Sequence, residues 1–317
     1  MEVKGISISP EMLNDWAKKV LPYFDLLFFT DENKSFINHL DSNVLVMSAR
    51  DFYRDTYFND FDTLNSYQAW QITNDVSHVC IVHPDNLLTL ESDIREKMFR
   101  VQKEINSGLV FKWDLIAKQI ENSKSLLQLF SPYVFEYKSE KYLMVQYSLW
   151  KQLTTELKYG FLMSVAKDFV HDVEIDHKQM EEFVQKYPHI APYFNTFSNL
   201  NGANCFASTL AAFSESDVDT DWLITKRVTA ESLLYSLKLH NYILKSDSLI
   251  ELLPNDVLLW KDHNNNILHS AYYLGNGYFF NKHGQTFITP WQIIQVNHLL
   301  EVWGKYSIHI YRKIKRS

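Results

Sequence analysis

Cys205 lies in NGANCFASTLAAF, residues 201–213, between a polar, glycine-containing loop and an alanine-rich run that reads as a helix. A thiol reacts as its thiolate, and the aligned N–H groups of a helix start favour that charge. A neighbouring imidazole can take the thiol proton, and a further polar group can orient the imidazole. The main-chain N–H of Cys205 is itself a candidate oxyanion donor. The other cysteine, Cys80, sits in HVCIVHP (78–84) with His78 and His83 nearby. On a strand, His78 and Cys80 share a face while His83 takes the other. No second ligand cluster is evident, so neither a metal nor an organic cofactor is expected.

ILHSAYYLGNGYFFNKHG (267–284) is the strongest hairpin signal in the chain, two aromatic-rich runs flanking Gly275–Asn276–Gly277. Its register decides which polar side chains meet. With a three-residue loop or a bulge, Asn281 falls opposite Ala271 and His283 opposite His269. His269, Asn281 and His283 then share one face. With a plain two-residue Asn276–Gly277 loop, Asn281 pairs with Tyr272 and His269 faces the other side. Both registers are open, and a catalytic set requires the first.

The elements around these residues follow from pattern. Ile94, Met98, Val101 and Ile105 recur at helical spacing, with Gly108 as a stop, and predict a helix over 92–107. SPYVFEYKSEKYLMVQYS (131–148) reads as two strands around Lys138–Ser139–Glu140, HVCIVHP as a strand ended by Pro84, and 149–187 as mainly helical. YPHIAPYFNTFSNLNGAN (187–204), with two prolines and four asparagines, is the best candidate boundary, near residue 195. Beyond it, Thr229 is a candidate N-cap for a helix through Leu233, Leu234 and Leu237. LLPNDVLLWKD (252–262) reads as a turn feeding a strand, and SIHIYRKI (307–314) as a last strand. The expectation is an α+β chain: a mixed α/β accessory domain over 1–195, then helices followed by an antiparallel sheet over 196–317.

Composition narrows the function classes. Of the charged residues, 28 acids and 20 bases fall in 1–198, against 10 acids and 11 bases in 199–317, so neither part offers a basic nucleic-acid surface. The short basic tail, YRKIKRS, reads as solvated. Two cysteines in 317 residues do not make a disulfide framework and fit a reducing compartment. No apolar signal segment opens the sequence and no run approaches a membrane span, so a cytoplasmic location without a membrane anchor is expected. Gly275 and Gly277 lack the surroundings of a phosphate loop and read as turn residues.

The order of Cys205, then Asp256-Val257-Leu258-Leu259-Trp260, then HSAYYLGNGYFFN resembles the NlpC family of papain-like cysteine peptidases over residues 199–317. In that family a Cys opens a helix, a Gly-Asp-hydrophobic strand follows, and a His begins a strand running into a Leu-Gly-Asx-Gly turn. A third polar residue stands twelve positions after the His, the spacing from His269 to Asn281. The resemblance implies a papain-like domain, its Cys-bearing helix packed on an antiparallel sheet. It implies Cys205 as nucleophile, His269 as general base and acid, and Asn281 as the residue orienting the imidazole, with His283 as the alternative third residue. Asn199, six residues before Cys205 where papain-like enzymes often place an oxyanion amide, and Asn204 are candidate oxyanion donors. Asn204 and Phe206 stand where the family has Asp and Ser, and Asn255–Asp256 stands for its Gly-Asp. Some sixty residues separate Cys205 from His269, which implies an inserted loop, with 214–227 the candidate.

Three functions are compatible with this pattern. The first is a cysteine hydrolase of a peptide or amide substrate through an acyl-thioester, with a cell-wall-type or γ-glutamyl peptide as the guess the resemblance suggests. The second is an acyltransferase or transamidase using the same pair. The third is a binding module on a papain-like scaffold with an inert thiol, which a thiol pKa near or above the free value would favour. The acidic, aromatic first domain fits substrate or protein-partner binding, or a structural cap.

Overall fold

A computed structural model describes residues 1–40, 44–58, 60–65, 75–120, 123–214, 217–246, 249 and 252–314. The chain is α+β with antiparallel sheets and divides into two compact units, one of residues 17–160 and one of residues 1–16 together with 161–317. Residue 195, the expected boundary, lies inside the second unit. The reason is packing: Phe183, Tyr187, Ile190 and Phe194 are buried in the same apolar cluster as Leu210 and Ala211 of the Cys205 helix. The proline-rich segment is thus a packed connection, not a linker.

In the 17–160 unit, Val76–Val82 pairs between Asp25–Thr30 and Val44–Ser48. A second three-stranded sheet centres on Glu140–Val145, flanked by Leu109–Lys112 and Val134–Tyr137. Lys138 and Ser139 turn its hairpin with φ of 50° and 64°. The outer edge of Asp25–Thr30 is bonded by side chains. The Gln146 amide accepts from Leu26 N–H at 3.1 Å and donates to Leu26 C=O at 2.8 Å, and the Gln102 amide does the same at Phe28, both at 2.8 Å. Each amide reproduces the donor–acceptor pair of a neighbouring peptide group.

Asp25 opens this strand wholly buried, with Oδ1 accepting from Ser148 N–H at 2.9 Å and Oδ2 lacking a hydrogen-bond partner. Burial raises its carboxyl to about 7, against the partial relief given by Ser148. The folded chain therefore holds this proton to higher pH than the unfolded chain does. The stability it contributes is complete below the ordinary carboxylate pKa and is lost as pH rises toward the folded value, by about 1.4 kcal/mol per pH unit. Urea unfolding of the full chain is expected to show the 17–160 unit about 2–3 kcal/mol less stable at pH 7 than at pH 5 from this group. Asp25→Asn should flatten that dependence; an unchanged dependence in the variant would reject the assignment.

The second unit is built on a six-stranded antiparallel sheet, in the order Gln292–Gln295, Tyr278–Asn281, Ile267–Gly275, Val257–Lys261, Ser307–Lys313, Tyr242–Ser246. Its two faces carry separate apolar clusters. Val257, Leu259, Tyr272, Leu274, Phe280 and Ile293 pack with the helices Cys205–Phe213 and Ala230–Leu239. On the opposite face, Leu258, Trp260, Ala271, Tyr273, Phe279 and Ile294 pack with Leu299 and Trp303 of the helix Val296–Trp303. The first sixteen residues join this unit, where Trp16 donates from Nε1 to Ser198 C=O at 3.0 Å and packs on Phe197 and Phe287. Segment 214–227 contains a helix, Asp217–Leu223, with residues 215 and 216 outside the described set, as are the last three residues of the basic tail. No helix among the described residues is long and apolar enough to cross a membrane.

Candidate active site

The hairpin takes its register from a bulge. Asn276 and Gly277 form a two-residue turn with φ of 53° and 84°, the double left-handed conformation that suits Asn-Gly. Gly275 pairs with Tyr278 and Tyr273 with Phe279, so Leu274 is the extra residue. From there Tyr272 pairs with Phe280, and Asn281 comes opposite Ala271 on the face that carries His269.

His269 Nε2 and Asn281 Oδ1 are 2.7 Å apart. The amide oxygen accepts, which places the ring proton on Nε2 and leaves the lone pair on Nδ1. Nδ1 is buried and has no hydrogen-bond partner. The indole of Trp303 lies parallel over the ring, with centroids 4.3 Å apart and planes 6° apart, and Trp260 lies 5.4 Å away. Enclosed in this way, His269 is driven by burial down to about 3, against the Asn281 hydrogen bond. His283 stacks at 5.7 Å and accepts from Trp303 Nε1 at Nδ1, 3.2 Å. Of the two candidate third residues, Asn281 is the one bonded to His269.

Cys205 begins its helix. Asn204 is the N-cap, accepting from Ala207 N–H at 3.0 Å, and its Nδ2 donates to Val228 C=O at 2.8 Å. Asn204 therefore fastens the helix start to the loop before Thr229, which occupies the amide that an oxyanion role would need. Asn199 is exposed in the preceding loop. Thr229 caps its own helix through Ser232 N–H.

Burial pushes the Cys205 thiol up to about 11, opposed by the N–H groups of Ser270, Phe206 and Cys205 itself and by the Ser270 hydroxyl. Ser270 Oγ donates to Cys205 C=O at 3.1 Å and lies 2.8 Å from Thr209 Oγ1. Alternation along the strand explains the arrangement: Ser270 faces the Cys205 helix, and His269 projects from the other face. Cys205 thus meets the strand at the residue next to His269, and no hydrogen bond joins the thiol to the imidazole. Lys282 is buried nearby, donating to Thr286 C=O, Thr289 C=O and Thr289 Oγ1 over the Trp291 ring. Burial lowers its ammonium to about 7, opposed by the Cys205 charge.

Ser270, Lys282 and Trp303 are the site residues that the sequence did not announce. Alternation puts Ser270 on the face opposite His269 and Asn281, but which of the two faces meets the Cys205 helix is set by packing and carries no local signal. Trp303 arrives from a helix beyond the hairpin, with no local pattern to mark it. Cys80, by contrast, is a buried strand residue whose thiol is pushed up to about 12 by burial, and His78 bonds its neighbour Ser77 at 2.9 Å. Comparison of the chain with models of known protein families, with curated proteins and with solved structures finds no match.

Proposed function

We propose that the unit of residues 1–16 and 161–317 is a papain-like cysteine hydrolase of an amide bond. The observation that carries this reading is the 2.7 Å His269–Asn281 contact, which leaves Nδ1 bare on the residue next to the one whose amide faces the thiol. In the proposed reaction, the His269 ring turns from its resting face of the strand toward Cys205, and Nδ1 takes the thiol proton as Sγ bonds the substrate carbonyl carbon and the carbonyl π pair moves onto oxygen. The N–H groups at the helix start face that oxyanion. Collapse expels the amine, which receives the proton from His269, and leaves a thioester. Water, deprotonated by the same imidazole, then releases the acid and restores the thiol. Both groups rest neutral, so the proton moves during attack and no standing ion pair is needed. A peptide of the cell-wall or γ-glutamyl type is the substrate class we propose.

A p-nitrophenyl ester tests this without knowledge of the natural substrate. One equivalent of nitrophenolate should appear in a burst, with the acyl group on Cys205 by mass spectrometry. Cys205→Ala should abolish the burst and Cys80→Ala should keep it. A binding module with an inert thiol is the second reading, favoured by the raised thiol and the missing Cys205–His269 hydrogen bond. It predicts no burst, and iodoacetamide labelling of Cys205 at a rate that His269→Ala leaves unchanged.

A further inference from the structure

Beside the His269 face lies a second group of histidines that the proposed reaction does not use. His171, His298 and Glu301 each present one ligand atom, and these atoms all lie within 4.8 Å of one another. His298 and Glu301 are three residues apart on the helix Val296–Trp303, one turn of the same face. His171 comes from the segment after the helix Thr155–Lys167, and its backbone is held in place. Its N–H donates to Gln292 Oε1 at 3.1 Å, and its C=O accepts from Gln292 Nε2 at 2.6 Å. Next to it, Lys4 donates to Val170 C=O at 2.8 Å and pairs with Asp172 at 3.1 Å.

The spacings within the group are informative. His298 Nδ1 and Glu301 Oε2 are 3.6 Å apart, too long for a hydrogen bond, and His298 Nδ1 is buried with no hydrogen-bond partner. Two ligands at about 2.0–2.1 Å from a tetrahedral zinc stand about 3.4 Å apart. The His171 and His298 rings have centroids 4.7 Å apart, tilted by 39°, close enough for one nitrogen from each to face a shared point. Exposed Glu301 has the freedom to adjust its carboxylate toward a shared ion. Two imidazoles and one carboxylate are a zinc-type donor set, with the fourth position left for water, whereas magnesium and calcium take oxygen ligands. His283 stays outside the set. Its Nδ1 accepts from Trp303, which puts its proton on Nε2, although its ring packs 4.8 Å from that of His171.

We propose that His171, His298 and Glu301 bind a zinc-class divalent cation that ties segment 170–172 to the helix Val296–Trp303. The same helix carries Trp303, whose indole covers His269, so the ion would fix the position of that cover.

The test is Zn²⁺ and Co²⁺ binding to the full chain after removal of metal with a chelator. One ion per chain is expected, and the cobalt form should show the strong visible absorption of a four-coordinate site. It should lack the near-ultraviolet thiolate band that binding at Cys80 or Cys205 would add. His298→Ala and Glu301→Gln should each weaken zinc binding by more than about 100-fold. Exposed His177→Ala should leave it unchanged. Glu301→Gln replaces an exposed side chain, so the fold persists in that variant and its binding can be read directly. Absence of a bound ion at equimolar zinc, a cobalt spectrum with thiolate bands, or affinity unaffected by Glu301→Gln would overturn the proposal. None of these readouts depends on hydrolase activity.

Discussion

Replacing Arg312 by methionine is expected to destabilise the unit that holds Cys205 by about 3–5 kcal/mol. Asp256 is wholly buried at the start of the Val257–Lys261 strand, and Arg312 reaches it from the adjacent Ser307–Lys313 strand. The contact is two-pronged, Arg312 Nε to Oδ1 at 2.8 Å and the terminal nitrogen to Oδ2 at 2.7 Å. Leu253 N–H supplies a third donor to Oδ2 at 2.8 Å. Without the guanidinium, a buried carboxylate keeps a single main-chain donor, and the cost is that of a charge left in an apolar interior. The double variant Asp256→Leu/Arg312→Met removes both charges and should recover most of the loss. Urea unfolding of parent, single and double variants reads both numbers. A single-variant cost below about 1 kcal/mol would place this pair among weak surface contacts instead. Asp256, which the sequence offered as part of a family strand motif, has this structural task.

The second large effect concerns His269. On the proposed reaction, His269→Ala should slow acylation of Cys205 by a p-nitrophenyl ester by about 10²–10⁴-fold, the usual worth of a positioned acid–base group. Asn281→Ala should cost less, because the base remains but nothing holds the proton on Nε2. With that hold lost, the ring can present Nδ1–H to the thiol, a tautomer that cannot accept its proton. Asn281→Asp should restore part of the rate by keeping an acceptor at Nε2–H. Acylation in His269→Ala within about threefold of the parent would remove His269 from the chemistry, leaving at most an autonomous thiol.

Features set by neighbouring residues were legible in the sequence. The Thr229 cap lies one turn from the N–H group it accepts, and the Asn-Gly turn is dictated by its own left-handed φ values. The bulge at Leu274 was one of two open registers, because nothing local separates a bulged turn from a plain one. Features set by distant packing were not legible. Trp16 is an ordinary apolar residue of an amphipathic helix until Phe197 and Phe287 arrive beside it. The strands Tyr242–Ser246 and Gln292–Gln295 are short and lie at the two edges of the sheet, where side-chain alternation is weakly enforced. The unit boundary failed for a related reason: prolines and asparagines mark a turn-rich segment, but only Ile190 and Phe194 reveal that it is buried.

The glutamines at Leu26 and Phe28 have a consequence for association between chains. An outer strand with bare N–H and C=O groups is a template on which a second chain can extend the sheet, the first step of edge-to-edge polymerisation. On Asp25–Thr30 that template is already occupied by Gln102 and Gln146, so another strand would have to displace four buried hydrogen bonds before adding its own. On the far edge of the same sheet, Val44–Ser48, no such glutamine cover is found among the described residues, and Leu45 and Val46 are exposed. Among the described residues, strand addition to this sheet is therefore blocked at Asp25–Thr30 and directed outward from Val44–Ser48.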